Sequence, residues 1–424
     1  MHCDTVHVVN SWDSFVIQLK QMALPVMVLA LQITAQLNRF MRASTLDFSR
    51  RSFFTKVQSL PWGLILMICA MAMIGVAVLH SATFTNPEEA GLPMRQASRF
   101  GVALVVLLMT ALVPLRWWFW AAWPSYLATL VLLVAVEFFG FTRGGAQRWV
   151  EIGPIGVQPS ELMKVTLTLA LGAYYHKRWN DYSGGLLIHL PALALIALPA
   201  ALIFRQPDFG TTLALFASGG ILIFLAGLWW RVITAIGIAG IASIPAIYFF
   251  VLQDYQRERV DTYLAQLTGQ SVNVMDDGYQ IEQAKIAIGS GGWTGKGYME
   301  GTQSQLDYIP EQHTDFILTV LAEEFGFLVT SGVLVMWMVI LGLGLMIALR
   351  AASLFARFAA AGAVATVAFY ILFNVAMVLG LVPVVGVPLP LLSYGGTVMI
   401  TTAACFGLIG AVHLGRKDPL HTGA

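Results

Sequence analysis

Ten runs of the chain are apolar over the length of a membrane crossing, or nearly so, and this constrains the fold more than any other feature. They lie near 60–81, 98–115, 118–139, 159–175, 186–204, 211–228, 232–252, 327–349, 358–380 and 398–414. About 20 apolar residues carry a helix across the hydrocarbon core. Hydrophobic residues make up 58% of the 424 and charged residues only 11%, against about 25% charged in a soluble domain. So much apolar surface belongs in a bilayer. The expected fold is an all-α polytopic membrane protein with about ten transmembrane helices. A net charge of +1 argues against nucleic acid as a partner. Cys3, Cys69 and Cys405 are far apart, and two of them sit in apolar runs, so neither a disulfide framework nor a metal-ligand pattern is visible.

Lysine and arginine in short loops set the orientation. Arg39, Arg42, Arg50, Arg51 and Lys56 precede the first run. Arg116, Lys177 with Arg178, Arg231, Arg350 with Arg357, and Arg416 with Lys417 follow in later loops. With ten spans these all fall on one side, the cytoplasmic one, together with both termini. Arg95, Arg143, Arg148 and Arg205 fall on the other side and need a reason. The division is then a cytoplasmic segment 1–56, a membrane domain 57–417 and a cytoplasmic tail 418–424. Residues 1–40 hold a weak apolar stretch around 22–37, broken by Pro25, Gln32 and Gln36. It is either an interfacial helix or part of an over-long gene start. The second is favoured, because the charge-then-span pattern is complete from Met41 onward.

Between the seventh and eighth runs a long polar segment, 253–314, lies on the outer side; ten acids and four bases over 253–315 leave it at −6. Loops this long are usually functional or disordered. Within it "YQIEQAKIAIG" (279–289) puts Ile281, Ala284 and Ile288 at helical spacing. That predicts a short amphipathic helix with its apolar face on the membrane or the bundle.

The segment ends in "LDYIPEQHTDFILTVLAEEFGF" (306–327), an ionisable cluster at the lip of a span. Pro310 sets a turn, Thr314 is a candidate N-cap, and Asp315 would occupy the first helical turn, where the dipole favours a carboxylate. Asp315 either only caps the helix or is a base facing a cavity, since ionisable groups at membrane depth mark function. At least one of Glu323 and Glu324 should face protein. "GGAQRWVEIGPIGVQPSELMK" (144–164) is a shaped outer loop entering the fourth span. Ser160 is a natural N-cap there, and Glu161 and Lys164 share a helix face. That pair either neutralises itself, or Lys164 also meets a substrate anion. Arg148 and Trp149 offer a cation and a flat apolar face for phosphate or sugar. In "RQPDFGTT" (205–212) Asp208 could cap the next helix.

"GLVPVVGVPLPLLSYGGT" (380–397) is uncharged, and its prolines and glycines exclude a straight helix. Such backbone near a membrane needs protein or a wet cavity around it, so a wall or re-entrant loop is expected. "GSGGWTGKG" (289–297) mimics a phosphate-binding loop and fails the pattern. Ser290 stands in place of the first glycine, and Gly297 in place of Ser or Thr after Lys296.

With "GAQRWVEIG", "QPSELMK", "QPDFGTT", "DYQRERV", "AKIAIGSGGWTGKG", "GTQSQLDYIPEQHTDFILTVLAEEFG" and "PVVGVPLPLLSYGGT" in this order, the chain resembles the SEDS family (shape, elongation, division and sporulation proteins) over about 57–417. "GTQSQLDYIPEQHTDF" is similar to the RodA-like form rather than the FtsW-like one, and Val385 stands where the division paralogue usually carries Lys. Residues 1–40 find no counterpart.

The resemblance implies a peptidoglycan glycosyltransferase. Such an enzyme polymerises lipid II, an undecaprenyl-pyrophosphate-linked disaccharide pentapeptide, into β-1,4 glycan strands for elongation and rod shape. It works on the outer face of the bacterial cytoplasmic (inner) membrane. The resemblance also implies Asp315 as the essential carboxylate. The implied partners are a class B penicillin-binding protein transpeptidase and the elongation machinery, within membrane lipids. A divalent cation, magnesium or manganese, assists some members; no ligand spacing here proves one. Substrate-contact candidates are Arg148, Trp149, Lys164, Lys285, Lys296, Gln303, Glu311, His313, Thr314 and Ser393. Ser160, Glu161, Asp208, Glu323 and Glu324 are expected to support them.

Inversion from an α-linked donor to a β-linked product needs a base near the acceptor hydroxyl and positive charge near the leaving pyrophosphate. Asp315 is the candidate base, and a partly dry carboxylate is a stronger one. Arg148, Lys164, Lys285 and Lys296 are the candidate cations, Arg148 first and Arg205 last. Two other classes stay open: a lipid II flippase and a non-catalytic scaffold for the transpeptidase. A flippase needs a polar path through the bundle. Here only His189, Glu137 and the Glu161/Lys164 pair lie deep or near deep, which favours chemistry at the surface.

Overall fold

The computed structural model describes residues 50–143, 146–152, 155–178, 186–206, 208–250, 257, 260, 261, 264, 277–306, 308, 309 and 311–416. The expectations for 1–49, for most of 253–276, for Pro310 and for 417–424 lie outside the described residues.

A helix coincides with each expected apolar run. After α1 (Arg50–Gln58) come α2 (Trp62–Ala82), α3 (Leu92–Leu112), α4 (Leu115–Phe139), α5 (Pro159–Arg178), α6 (Leu190–Arg205), α7 (Phe209–Leu225) and α8 (Trp230–Phe250). Then follow α9 (Asp277–Gly291), the one-turn α10 (Thr302–Gln305), α11 (Ile317–Leu349), α12 (Leu354–Val378) and α13 (Gly396–Leu414). Among the described residues seven helices are long and apolar enough to cross a membrane: α2, α3, α4, α6 with its lead-in from Leu187, α11, α12 and α13. The chain is thus a mostly helical, multi-pass membrane protein. α12 and α13 form its centre. α12 packs against α5, α7, α11 and α13, and α13 packs against α3. The run Ala359–Ala360–Ala361–Gly362–Ala363 of α12 is buried; such small side chains let helix backbones approach closely.

Two features depart from the expectation. The fold is not all-α: β1 (Phe141–Arg143), β2 (Ala146–Ile152) and β3 (Ile155–Val157) form a three-stranded antiparallel sheet in the segment expected to be a loop. Phe141 pairs with Trp149 and Thr142 with Gln147, leaving Arg148 as the extra residue of a bulge. A bulge re-aims the side chain it carries. In addition, α11 starts at Ile317, two residues after the expected first-turn position Asp315, and is broken at Gly326 (φ 73°, ψ −176°), just before the expected apolar run begins at 327.

The break explains the glycine-rich stretch 289–297. Where a helix is interrupted, carbonyls before the break and N–H groups after it lose their partners. Here Lys296 N and Gly297 N donate to Glu323 O and Glu324 O at 3.1 and 3.0 Å. On the far side, Phe327 N and Leu328 N donate to Gly292 O and Trp293 O at 2.9 and 3.2 Å. A Cβ on Gly326 would sit 2.3 Å from Gly295 N, and one on Gly295 2.1 Å from Glu324 O. Only bare backbone fits this splice. The helix α9 leads into it with Ile281, Ala284 and Ala287 buried; its apolar face lies on α11.

Candidate active site

Asp315 sits in the turn 311–316, one residue before the N-cap Phe316 of α11. Thr314 is therefore not the N-cap, and Asp315 is not in the first helical turn. The hydroxyl of Thr314 instead donates back to Glu311, to Oε2 at 2.9 Å and to the carbonyl at 3.1 Å. Glu311 has φ 55°, a left-handed conformation unusual for a side-chain-bearing residue. Asp315 N and Thr314 N both donate to Glu311 O. His313 lies between two carboxylates, with Nδ1 3.8 Å from Glu89 Oε2 and Nε2 3.9 Å from Glu311 Oε2.

The uncharged segment 380–395 forms the wall of the site. A Cβ on Gly386 would lie 3.4 Å from Asp315 Oδ2, so the carboxylate faces this backbone. Asn374 of α12, fully buried, joins the two parts. Its amide donates to Asp315 O at 2.8 Å and to Val387 O at 2.7 Å. Tyr394 N donates to His313 O at 2.9 Å. Ser393, a substrate-contact candidate, is buried and accepts from Leu389 N at 2.8 Å, while its carbonyl accepts from Gln96 of α3 at 2.8 Å. Its hydroxyl braces the loop. Arg99 of α3 stacks on the Tyr394 ring, 4.2 Å from its centroid, and that ring also contacts His313.

The candidate cations separate into three kinds. Lys164 has no exposed side-chain surface and pairs with Glu161 at 2.6 Å. It also donates to Tyr370 of α12, whose hydroxyl lies 2.9 Å from Glu161 Oε2. Lys296 pairs with Glu323 at 2.6 Å. The same carboxylate accepts from Gln303 N and Ser304 N at 2.9 and 3.2 Å, so Lys296, Gln303 and Glu323 lock the segment 296–304 to α11. Lys285 is different. It is exposed on α9, no carboxylate pairs with it among the described residues, and its Nζ would be 2.7 Å from a Cβ on Gly380. It thus borders the same segment as Asp315. Arg148 donates to Gln206 O at 3.2 Å, beside Trp149 on the bulged strand. Arg205 lies 3.6 Å from Glu137, and both side chains are exposed on the surface of the bundle.

Asp208 is the N-cap of α7, accepting from Thr211 N at 3.2 Å. Ser160 is not an N-cap. It lies inside α5, which starts at Pro159, and its hydroxyl donates to Asp208 at 3.3 Å. Glu324 accepts from Ser81 of α2 at 2.5 Å. Burial and the Glu324 charge push the nearby Tyr298 phenol above its ordinary value; it donates to Ala77 O at 3.2 Å. Among the described residues no three His, Cys, Asp or Glu side chains gather closely enough to hold a metal ion. The divalent cation implied by the resemblance has no evident seat among them. Sequence reasoning missed Glu89, Arg99, Tyr370, Asn374 and Tyr394. A lone Asn within an apolar run and an Arg at a span's start were signals that could have found two of them.

A polytopic helical fold, an acidic turn at the end of a helix and a folded-back wall of proline and glycine define the class. Residues 61–418 match the family model of the FtsW, RodA and SpoVE cell cycle proteins. The chain belongs to this family. Among its relatives, the peptidoglycan glycosyltransferase MrdB of Escherichia coli K12 is 38% identical over 372 residues, covering 87% of this chain and 97% of MrdB. MrdB of Helicobacter pylori is 34% identical, covering 76% of this chain and 83% of its own. Among solved structures, a chain of a peptidoglycan synthase complex, described as coordinating polymerization and crosslinking, superposes with a TM-score of 0.71 at 30% identity. It covers 85% of this chain and 99% of that one. The rod shape determining protein RodA of Thermus thermophilus gives 0.60 at 28% identity, covering 85% and 98%.

Proposed function

We propose that this chain is a peptidoglycan glycosyltransferase of the elongation type, polymerising lipid II at the outer face of the bacterial inner membrane. The observation that carries this reading is the identity with the MrdB glycosyltransferases over nearly their whole length, joined to an acidic turn that α12 fixes in place through Asn374. In this reading all ten apolar helices cross the bilayer, both termini are cytoplasmic, and the Asp315 turn faces outward with the large polar segment.

Asp315 takes the proton from the acceptor sugar hydroxyl as that oxygen attacks the donor's anomeric carbon. The bond from that carbon to the pyrophosphate breaks, and the configuration inverts from α to β. A positioned base contributes roughly 10² to 10⁴-fold. Lys285 now leads the candidates for the leaving pyrophosphate, because Lys164 and Lys296 are already paired within the fold. Arg148 is engaged by the Gln206 carbonyl. Glu89, Glu311, His313 and Arg99 orient the turn and its wall. The polyprenyl tail stays in the bilayer and enters between helices. A class B penicillin-binding protein crosslinks the product; the similarity to a chain from a complex of polymerisation and crosslinking supports such a partner.

The test is incubation of the purified chain, with its transpeptidase, with labelled lipid II. Glycan ladders from wild type and none from Asp315→Ala, with unchanged melting, support the assignment. Equal ladders from both would remove Asp315 as the base. No ladder from either would favour a flippase or scaffold.

A further inference from the structure

The end of the bundle farthest from Asp315 carries a second polar feature that the glycosyl transfer does not use. α11 runs from the Asp315 turn to Arg350, α13 from the Tyr394 wall to Arg416, and α2 in the opposite sense, starting at Trp62. Between these three ends lies a cavity of about 250 Å³. Arg350, Arg416 and His413 contribute its polar lining, and no acidic residue lines it. The cations are held by the fold. Arg350 is the C-cap of α11, Arg416 O accepts from Ala352 N at 3.0 Å, and Arg416 Nη1 lies 3.5 Å from His413 Nε2.

The other walls are apolar: Leu64, Leu343, Met346 and Ile347. Next to them Met346 and Leu349 expose 44% and 69% of their surface on the outside of the bundle. Among the described residues no carboxylate lines the cavity beside the two guanidinium groups, and such a pair calls for an anion. Apolar walls opening onto a lipid-facing helix call for an anion that carries hydrocarbon. A small hydrated ion would satisfy the first requirement and waste the second.

We propose that this cavity binds the headgroup of an anionic phospholipid, its phosphate at Arg350 and Arg416 and its acyl chains along Leu343 and Met346. Basic pockets between membrane helices suit such headgroups. With the orientation proposed above, the lipid belongs to the inner leaflet, on the face opposite the chemistry. The site is small for a whole lipid, since drug-sized ligands occupy roughly 300–1,000 Å³; the headgroup and the first carbons of the chains enter, and the rest of the chains lies outside.

The experiment is a titration of the purified full chain in neutral detergent with dioctanoyl phosphatidylglycerol, dioctanoyl phosphatidylcholine or inorganic phosphate. Binding is read directly, and glycan synthesis is not the readout, so the result stands apart from the proposed enzymatic activity. Two variants are compared. Arg350→Gln/Arg416→Gln removes the charge. Gly63→Leu fills the cavity: Gly63 lines it and has open space where a Cβ would stand.

The expected result is saturable phosphatidylglycerol binding by wild type, with phosphatidylcholine much weaker. The charge variant should bind about twenty-five-fold more weakly, at about a factor of five per basic residue near an anionic lipid. Gly63→Leu should bind weakly with an unchanged melting temperature, and it keeps the test sound if the double variant fails to fold. Equal binding of both lipids overturns the proposal, as does phosphatidylglycerol binding untouched by Gly63→Leu. Displacement of the lipid by millimolar phosphate would make the occupant a soluble anion and overturn it too.

Discussion

Replacing Asn374 with leucine keeps the side chain near its native size and deletes the amide that donates to Asp315 O and Val387 O at 2.8 and 2.7 Å. Both carbonyls then lose that donor in a place where Asn374 itself is fully buried. Each unsatisfied buried carbonyl costs about 1–3 kcal/mol, so the pair costs about 2–6 kcal/mol. The lower end is expected, because Asp315 is only half-buried and water can reach its side of the wall. The catalytic consequence is larger than the thermal one. Asn374 ties the Asp315 turn to α12, and a misplacement of about 1 Å in a reacting group can cost on the order of 10²-fold. The assay is the initial rate of glycan formation from labelled lipid II, run beside a thermal melt in detergent. A modest fall in melting temperature with a rate near a hundredth of wild type is expected. A variant that melts earlier yet polymerises at the full rate would refute the reasoning, since the amide would then hold the wall without placing Asp315.

Other outcomes follow from the same contacts. Asp315→Asn, nearly isosteric, should lower the polymerisation rate by about 10² to 10⁴-fold with an unchanged melt. Gly326→Ala forces a side chain onto a residue at φ 73° and 2.3 Å from Gly295 N, and should destabilise by at least about 1–3 kcal/mol in a chemical or thermal melt. Gly332→Ala, with nothing within 4 Å of its Cβ position, should be neutral or slightly stabilising. Lys164→Met leaves Glu161 charged and enclosed and should cost about 3–5 kcal/mol; Glu161→Gln/Lys164→Met should recover most of the loss in the same melt. Lys285→Gln should lower kcat/KM for lipid II about tenfold, the worth of one charge-assisted contact of about 1.5 kcal/mol, without moving the melt.

The helices were legible because a bilayer permits few alternatives, and each apolar run became one. Their ends were less so. The eighth apolar run was drawn from 327, past Glu323 and Glu324, and its helix was expected to be capped by Thr314, two residues ahead of the observed N-cap Phe316. Both carboxylates are in fact buried inside α11, one on Lys296 and the other on Ser81. The sheet was missed because its strands are short and sit among glycines and prolines that look like loop. The Asp315 turn announced itself through its ionisable residues. Its supports did not: Asn374 is 59 residues from Asp315 in sequence, and Gln96 is 297 from Ser393. Long-range pairs leave no periodic trace in one sequence. Lys164 and Lys296 looked like substrate cations because spacing shows a charge and not its company.

The glycine-rich stretch 289–297 resembles a nucleotide-binding loop for a physical reason. Both need consecutive N–H groups with no side chains in front of them, one to meet phosphate oxygens and the other to meet the carbonyls of an interrupted helix. A pattern search tuned to the first will retrieve the second. In a chain destined for lipid, where an unpaired carbonyl is expensive, a glycine cluster beside a span therefore points to a place where some helix has been cut and mended by a neighbouring strand of backbone.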